Sequence, residues 1–518
     1  MDGGTTIYPD TQQIVLPYRA DVEHILQAER FEHQGAWYLA ARHDITSVRL
    51  LRNLGFKAPS PALSRYDFCG GHPFESQLAT MDLCTVSRRA YVLSEMGVGK
   101  SRAVAWSYDY LKGEGIVKKL LIVGPLSTLT TVWLNELFEC LPYLQAVVLY
   151  GDAKRRAKLL AQDADVYIIN FDGIQVLHKE LWKRPDIDCI IVDECASYRN
   201  SRAERWKYLQ PLVKRAGYVW GLSGSPTPNS AADAYGIAKL ITPETAGYSF
   251  KAFKEKVMRQ VGPFQWIEKP EATQIVYETL QPAVRFTRDQ CLDLPPTTYT
   301  TITCDPGTQA IKGYKQMLDC YAAELRGREI TAANAGVKLS KLLQVSAGFM
   351  YDAHGKAIFV GGADRCKQII ELIDQSQGKV LVFAAFRYLV ELIAGVLAKK
   401  YTVGIIHGDV SKAQRDLTFS QFQKQSNPKV IVAHPQTMSH GITLTSASTI
   451  IWASPITSYE IYEQACARIT RSGQKLHTHI VNIAATRAEE LVYARLRRKE
   501  KVQDAILDLF ETGTQGRI

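Results

Sequence analysis

The stretch Leu93-Ser94-Glu95-Met96-Gly97-Val98-Gly99-Lys100-Ser101 decides the fold. An apolar run from Ala90 to Leu93 stops at two glycines and a lysine, and an amphipathic segment begins at Ser101, so the order predicts strand, tight loop, helix. That order suits a phosphate-binding loop. Gly97 and Gly99 let backbone N–H groups turn inward with no Cβ in the way, and the helix N-terminus adds partial positive charge. In such a loop Lys100 reaches the β- and γ-phosphates of a nucleotide and the Ser101 hydroxyl ligates Mg²⁺. Ser94 stands where the pattern G-x-x-x-x-G-K-[ST] has its first glycine, and the same residues also fit an ordinary Gly-rich strand-to-helix turn. The rest of the chain separates the two.

The totals narrow the setting. A chain of 518 residues has room for about two to four domains. Its 46% hydrophobic and 22% charged content is that of a soluble globular protein. No apolar run is long enough to span a membrane and no signal-peptide pattern stands at the start, which predicts a cytoplasmic protein without a membrane partner. The ten cysteines are scattered with no C-x-x-C pair, against both a structural zinc site and a disulfide framework. A formal charge of +10 fits a polyanionic partner, and also many proteins of this size that bind no nucleic acid.

Residues 1–66 read as a small α+β module. Strands are expected at Gln13–Tyr18 and Trp37–Ala41, helices at Val22–Ala28 and Ile45–Leu54, and Pro59-Ser60-Pro61 makes a break. Arg30, Phe31, Trp37, Tyr38, Arg42 and His43 mingle here, either as a DNA-facing surface or as a satisfied small core. From Pro73 to about Leu280, apolar runs at Lys119–Val123, Ala146–Leu149, Val166–Asn170, Cys189–Val192 and Tyr218–Leu222 alternate with helix-length segments. This predicts a mostly parallel sheet with its ligand at the C-terminal strand ends.

Those strand ends carry polar punctuation. Asp193-Glu194 follows Ile190-Ile191-Val192, and two acids leaving a buried strand are costly unless they hold a cation or hydrogen bonds. They suit Mg²⁺ ligation by Asp193 and general-base work by Glu194, although an acidic pair at a strand exit also arises by chance. Ser223-Gly224-Ser225 follows Leu222, Gly124-Pro125-Leu126-Ser127 follows Val123, and Asn170-Phe171 follows Ile169. Gln77 lies upstream of the loop, placed to read an adenine edge.

The middle of the chain reads as helical, with a proline link at Leu294-Pro295-Pro296. Arg285 and Arg288 before it are either phosphate contacts or solvated. From Lys379 a second α/β unit begins, with strands expected at Val380–Ala384, Val403–Ile406, Val430–Ala433, Thr449–Trp452 and His477–Ile483. Helices are expected at Tyr388–Lys399, Lys412–Gln423 and Ser458–Arg471. Gln464, Arg468 and Arg471 recur at i, i+4 and i+7, which places them on one face of that last helix. Such a face is also compatible with a solvated surface. A capping-box pattern at Thr486–Glu489 opens a final helix rich in Arg495, Arg497, Arg498, Lys499 and Lys501.

In order, Gln77, S-E-M-G-V-G-K-S, G-P-L-S, I-I-N-F, I-I-V-D-E-C-A, L-S-G-S-P, I-I-H-G-D, S-H-G-I-T-L-T and Q-A-C-A-R-I-T-R-S-G-Q resemble the motor of the Snf-type, chromatin-remodeller-like branch of superfamily-two helicases. The family usually has Asp at Ser94, Ala/Gly-His at Cys195-Ala196 and Asn at Thr443. The resemblance implies an α/β fold of two tandem RecA-like parallel-sheet domains with helical insertions. It places motor domain 1 at 67–290, a linker and helical insertion at 291–378, and motor domain 2 at 379–518. It implies ATP and Mg²⁺ as cofactors, held by Gln77, Ser94 to Ser101, Gly441 and Gln464. Lys100, Asp193, Glu194, Arg468 and Arg471 are its catalytic residues, with the arginines reaching the γ-phosphate across the interdomain cleft. Pro125, Ser127, Asn170, Ser223, Ser225, His407, Gly408 and Thr443 are its DNA-contacting and coupling residues.

The function implied is an ATP-dependent translocase on double-stranded or branched DNA, in a compact form like those of bacteria and their viruses, acting in the cytoplasm at the nucleoid. The run W-Y-L-A-A-R-H-D-I-T-S-V-R-L-L-R-N-L-G-F distantly resembles the HARP-type module of annealing helicases, which points to fork remodelling and DNA repair. A strand-separating DNA or RNA helicase and a non-hydrolysing nucleic-acid scaffold are the alternatives.

Overall fold

The computed structural model describes residues 5–126, 128–262, 266–287, 291, 295–325, 332–352, 356–438, 443–471 and 473–498. The chain forms two compact units, Met1–Leu292 and Asp293–Ile518. Each is built on a parallel sheet whose central strands are continuous apolar runs, as strands covered on both faces must be.

The first unit opens with β1 (Thr6–Tyr8), β2 (Gln13–Pro17), α1 (Ala20–Leu26), β3 (Glu29–His33), β4 (Ala36–Arg42), α2 (Ile45–Asn53) and the short α3 (Ala62–Arg65). The four strands pair antiparallel in the order β1-β2-β4-β3, and β3 is an exposed edge. The inner face of this sheet, Ile14, Leu16, Leu39 and Ala41, packs with Val48 and Leu51 of α2. The apolar cluster continues without a break into Met81 and Cys84 of α4 (Glu75–Val86) and into Ala90 and Val92 of the large sheet. Polar ties cross at the same place. Arg52 grips the Asp82 carboxylate with one nitrogen at 2.7 and 2.8 Å, and Arg49 donates to the Val86 carbonyl and to the Tyr218 hydroxyl at 3.0 and 2.9 Å.

The large sheet comprises β5 (Arg89–Val92), β6 (Lys119–Gly124), β7 (Ala146–Val148), β8 (Val166–Asn170), β9 (Ile187–Asp193) and β10 (Tyr218–Leu222). A small antiparallel hairpin of β11 (Met258–Gln260) and β12 (Trp266–Glu268) follows, and then the two-residue β13 (Ala283–Val284) returns to the sheet edge. The order is β13-β5-β10-β9-β6-β8-β7, parallel throughout. All five expected strands of this region are present. The hairpin and β13 are too short to show a period, and the sequence gives no sign of them.

The second unit carries β14 (Thr297–Thr303), the hairpin β15 (Phe349–Tyr351) and β16 (Ala357–Phe359), and then β17 (Lys379–Phe383), β18 (Val403–Ile406), β19 (Val430–Ala433), β20 (Ala447–Trp452) and β21 (Thr478–Ala484). Its main sheet runs β14-β21-β20-β17-β19-β18, again all parallel. β14, T-T-Y-T-T-I-T, falls in the segment read as linker; its exposed, Thr-rich sequence suits an edge strand and lacks the apolar run of its neighbours.

The helix expected over Ser458–Arg471 ends at Cys466. Beyond it the carbonyls that would continue the ladder are taken elsewhere. Arg471 Nε donates to Ala467 O at 3.1 Å, Leu444 N to Arg468 O at 3.0 Å, and Gln474 Nε2 to Ile469 O at 2.9 Å. Arg468 and Arg471 therefore lie on a turn, and the shared helix face inferred from their spacing with Gln464 is not formed.

Glu489, expected in a capping box, does accept a nearby backbone N–H, from Ala485 at 2.7 Å, but the same oxygen also meets Arg365 at 2.8 Å in a fully buried ion pair. Arg365 donates further to the carbonyls of Ser346, Ala453 and Ile483. One guanidinium thus ties a helix (Ala363–Gln375), the ends of two strands and the C-terminal helix (Arg487–Arg498). Lys499 and Lys501 lie outside the described residues.

Candidate active site

β5, β10, β9 and β6 are neighbours in that order, and all four point their C-terminal ends the same way. The phosphate-type loop, Ser223-Gly224-Ser225, Asp193-Glu194 and Gly124-Pro125 therefore converge at one edge, as a parallel sheet demands of residues placed just past strand ends.

The loop itself follows its sequence. Gly97 and Gly99 adopt φ of 89° and 79°, and α5 (Lys100–Gly113) starts immediately after. Gln77, buried on α4, clamps the loop from below: its Nε2 donates to Gly99 O at 3.2 Å while its Oε1 accepts from Phe74 N at 2.9 Å. A Cβ on Gly99 would lie 2.3 Å from that Nε2. Ser94, in the place of the missing glycine, is buried, and its hydroxyl accepts from Phe286 N at 3.0 Å. Together with Leu93 N to Val284 O and Glu95 N to Phe286 O, this bond stitches the loop to β13 and the residues after it. The Lys100 ammonium donates to Ser94 O at 2.6 Å and Glu95 O at 2.9 Å.

Across β10, Asp193 closes β9 with both carboxylate oxygens engaged. Oδ1 accepts from Glu194 N at 3.0 Å and Oδ2 from the indole Nε1 of Trp133 at 2.9 Å. Burial pushes the Asp193 carboxyl above its usual range, and the Trp133 bond and the charge of Lys100 oppose the rise. Glu194 holds a left-handed backbone, φ 49° and ψ 53°, a conformation that costs a non-glycine residue about 1–3 kcal/mol and clusters at functional sites. Cys195 behind it is fully buried, and its thiol is pushed well up by burial, away from any nucleophilic role. Gly224 stands by the loop: a Cβ there would lie 3.8 Å from Met96 Cγ and from Ser94 O.

Of the residues expected to face nucleic acid, Ser223 is buried and accepts Ser225 N at 3.2 Å. Asn170 is buried and accepts from Arg156 at 3.0 Å, and Pro125 accepts both N and Oγ1 of Thr128 at 3.0 Å. Arg285 is exposed. Ser127, Gly441 and Arg288 lie outside the described residues.

In the second unit, Gln464 is buried on its helix and donates to Glu460 at 3.2 Å. Arg468 is fully buried, while Arg471 NH1 donates to the Thr443 hydroxyl at 3.2 Å. Thr443, where the resemblance leads one to expect Asn, so meets an expected catalytic arginine directly. His407 and Gly408 follow β18, with His407 Nε2 3.8 Å from Glu391.

Ser101, in the first turn of α5, and Asp193, at the end of β9, offer small, hard oxygen donors at the edge where the strand ends converge. They fit a magnesium ion that takes its remaining ligands from phosphate and water. Sequence reasoning missed Trp133 and the Phe286 backbone. A donor-only indole nine residues past the end of β6 is the signal that was available for the first; the second leaves no trace in side-chain identity.

Two parallel α/β units, the first with a phosphate loop and a strand-end acid pair, define a nucleotide-hydrolysing motor of the helicase type. The description "SNF2-related domain" matches residues 78–355 and "Helicase conserved C-terminal domain" matches residues 364–473. The chain belongs to the SNF2-related family and carries its tandem RecA-like ATPase domains. It is similar to protein p41 of Acyrthosiphon pisum secondary endosymbiont phage 1, at 26% identity over 81% of this chain and 95% of that one. It is also similar to the mouse DNA annealing helicase and endonuclease ZRANB3, at 26% identity over 81% of this chain and 39% of that protein. The chain thus spans about two fifths of the length of the latter. The solved Sulfolobus solfataricus SWI2/SNF2 ATPase core in complex with dsDNA aligns at 20% identity over 86% of this chain and 94% of that one, with a TM-score of 0.40. Among the described residues no helix is long and apolar enough to cross a membrane.

Proposed function

We propose that this chain hydrolyses ATP to move along double-stranded DNA, remodelling forked or branched DNA or displacing bound proteins. The observation that carries this reading is the convergence of the phosphate loop, Ser223-Gly224-Ser225 and Asp193-Glu194 on adjacent strand ends of one parallel sheet. The names of relatives such as the DNA annealing helicase ZRANB3 support the choice of DNA and of branched substrates.

In this mechanism the N–H groups of Gly97 to Ser101 and the start of α5 cradle the β- and γ-phosphates. Lys100 exchanges the carbonyls of Ser94 and Glu95 for phosphate oxygens. Ser101 and Asp193 would hold Mg²⁺, which when bound would supply positive charge against the charge developing on the phosphates. Glu194 orients the attacking water and takes its proton. Gln77 fixes the loop and reads the adenine edge, with Gln464 and Gly441 as further nucleotide contacts. Arg468 and Arg471 stabilise the charge on the transferring phosphoryl group. Pro125, Ser127, Asn170, Ser223, Ser225, His407, Gly408 and Thr443 contact DNA or relay its binding, and phosphate contacts make that binding sequence-independent and salt-sensitive. The N-terminal sheet is assigned to fork recognition, and the site of action to the cytoplasm of a bacterial or phage-infected cell.

Steady-state ATP hydrolysis without nucleic acid, and with single-stranded DNA, blunt duplex, a four-way junction and RNA, at two salt concentrations, tests the reading. Duplex or junction is expected to stimulate strongly, and less at high salt. Stimulation by single strands or RNA alone identifies a strand-separating helicase instead, and absence of turnover identifies a scaffold. Lys100→Ala is expected to abolish stimulated turnover, and native-like turnover in that variant overturns the phosphate-loop assignment.

A further inference from the structure

Trp133 is fully buried, yet its indole N–H does not serve a carbonyl, the commonest partner of such groups; it serves the carboxylate on which the proposed metal site depends. It stands in a six-residue π-helix, Leu129–Leu134, a rare backbone form that recurs at functional sites. The π-helix leaves the exit of β6, the strand paired with β9. Packing there is close: a Cβ on Gly124 would come 3.3 Å from Asp193 Cβ and 3.5 Å from Oδ2.

We propose that Trp133 is a positioning residue for metal binding: its indole N–H fixes the Asp193 carboxylate in the orientation that receives Mg²⁺. The inference rests on the assignment of Asp193 as a metal ligand given above.

A carboxylate has one soft torsion, and a single donor leaves the second oxygen to swing. Here each oxygen has its own donor, the Glu194 backbone on Oδ1 and the indole on Oδ2, so the plane of the group is fixed from two directions. Each oxygen keeps a second lone pair for a cation or its water. The nature of the donor matters as much as its place. An Arg or Lys partner would orient the carboxylate and also cancel its charge, competing with the metal. An indole donates one hydrogen bond, carries no charge and accepts nothing, so it orients Asp193 and leaves its charge to the cation. Outer partners of metal ligands that act this way change metal affinity by roughly 10–100-fold when removed.

The competing explanation is that Asp193 only satisfies a buried indole N–H. Two replacements separate the two. Trp133→Phe removes the donor and some volume, and substitution of a benzothiophene ring for the indole removes the donor and keeps the shape. Mn²⁺ binding in the presence of ADP, followed through the electron paramagnetic resonance signal of the free ion, reports on the site without turnover. Steady-state hydrolysis over a Mg²⁺ titration then splits metal affinity from the maximal rate. With the benzothiophene chain as thermally stable as the native one, Mn²⁺ affinity is expected to fall roughly 10–100-fold and the half-saturating Mg²⁺ to rise by a similar factor. ADP binding without metal is expected to stay native. Native metal affinity in the benzothiophene chain overturns the role of Trp133. Asp193→Asn serves as the control. If that variant retains native Mn²⁺ affinity, the metal-ligand assignment itself fails, and it is distinguished in this way from a failure confined to Trp133.

Discussion

The phosphate loop of the first unit and the arginine turn of the second hold their key cations in opposite ways. Around Lys100 the scaffold is mostly backbone: two left-handed glycines, a helix start and three hydrogen bonds to residues 284 and 286 shape the loop. Arg468 and Arg471 lie past the helix end at Cys466, on a turn whose carbonyls are taken by the Arg471 and Gln474 side chains and by Leu444 N. Glycines and a lysine at fixed offsets make the first site visible in local sequence, even though residues 284 and 286 brace it from far along the chain, whereas nothing in the arginine spacing marks the carbonyl partners that shape the second. The two units differ in their buried titratable groups as well. The second unit buries a charged pair, Arg365 and Glu489, while the first buries the His43 imidazole against the Pro59 carbonyl.

The sharpest way to break this contrast is Arg471→Ala. Turnover is expected to fall by about 10³–10⁵, as for other arginines that stabilise a transferring phosphoryl group, with nucleotide binding retained. Single-turnover hydrolysis alongside equilibrium nucleotide binding checks it, and loss of nucleotide binding would make Arg471 a ground-state contact instead.

Next in size is Glu489→Ala, which leaves Arg365 buried without its counter-charge. Removing one partner of such a pair is expected to destabilise the second unit by about 3–5 kcal/mol. Amide hydrogen exchange of β20 and β21 as a function of urea reports on that unit, and a change within 1 kcal/mol, about the scale of an exposed pair, would show that the pair is dispensable.

The smallest effect concerns acid. Burial holds the His43 imidazole below its usual range, helped by Arg65 and opposed by Asp44 and the Pro59 carbonyl. The folded state therefore stays neutral where the unfolded chain takes a proton. Stability is expected to be flat above the unfolded value near 6.5 and to fall as pH drops below it, by at most about 1.4 kcal/mol per pH unit, until the folded group also titrates. Denaturant midpoints of the native chain and His43→Asn at pH 7.5 and 5.5 test this, with a smaller pH difference expected in the variant.

Legibility in the sequence follows the same division. Every expected strand of the two large sheets is present because parallel strands covered on both faces read as unbroken apolar runs. The loop from Leu93 to Ser101 was readable because glycine and lysine at fixed offsets have few other uses. β14 was not, since a polar, Thr-rich edge strand looks like a linker until its neighbour β21 is known. The arginine spacing suggested a helix face, and it misled because the end of that helix is set by Gln474 and Leu444 rather than by local propensity. Residues 1–66 showed which side chains are apolar but not which core they enter.

That last point reaches beyond assembly. The small sheet, α2, α4 and β5 share one apolar core, so the front of the chain is not a detachable cassette. A gene fusion that exchanged it for an unrelated recognition module would break the apolar core that includes Met81 of α4 and Ala90 and Val92 of β5, the strand that leads into the phosphate loop. The side chains of β3 are exposed along its length and lie outside that core, so changes there leave the packing around β5 intact.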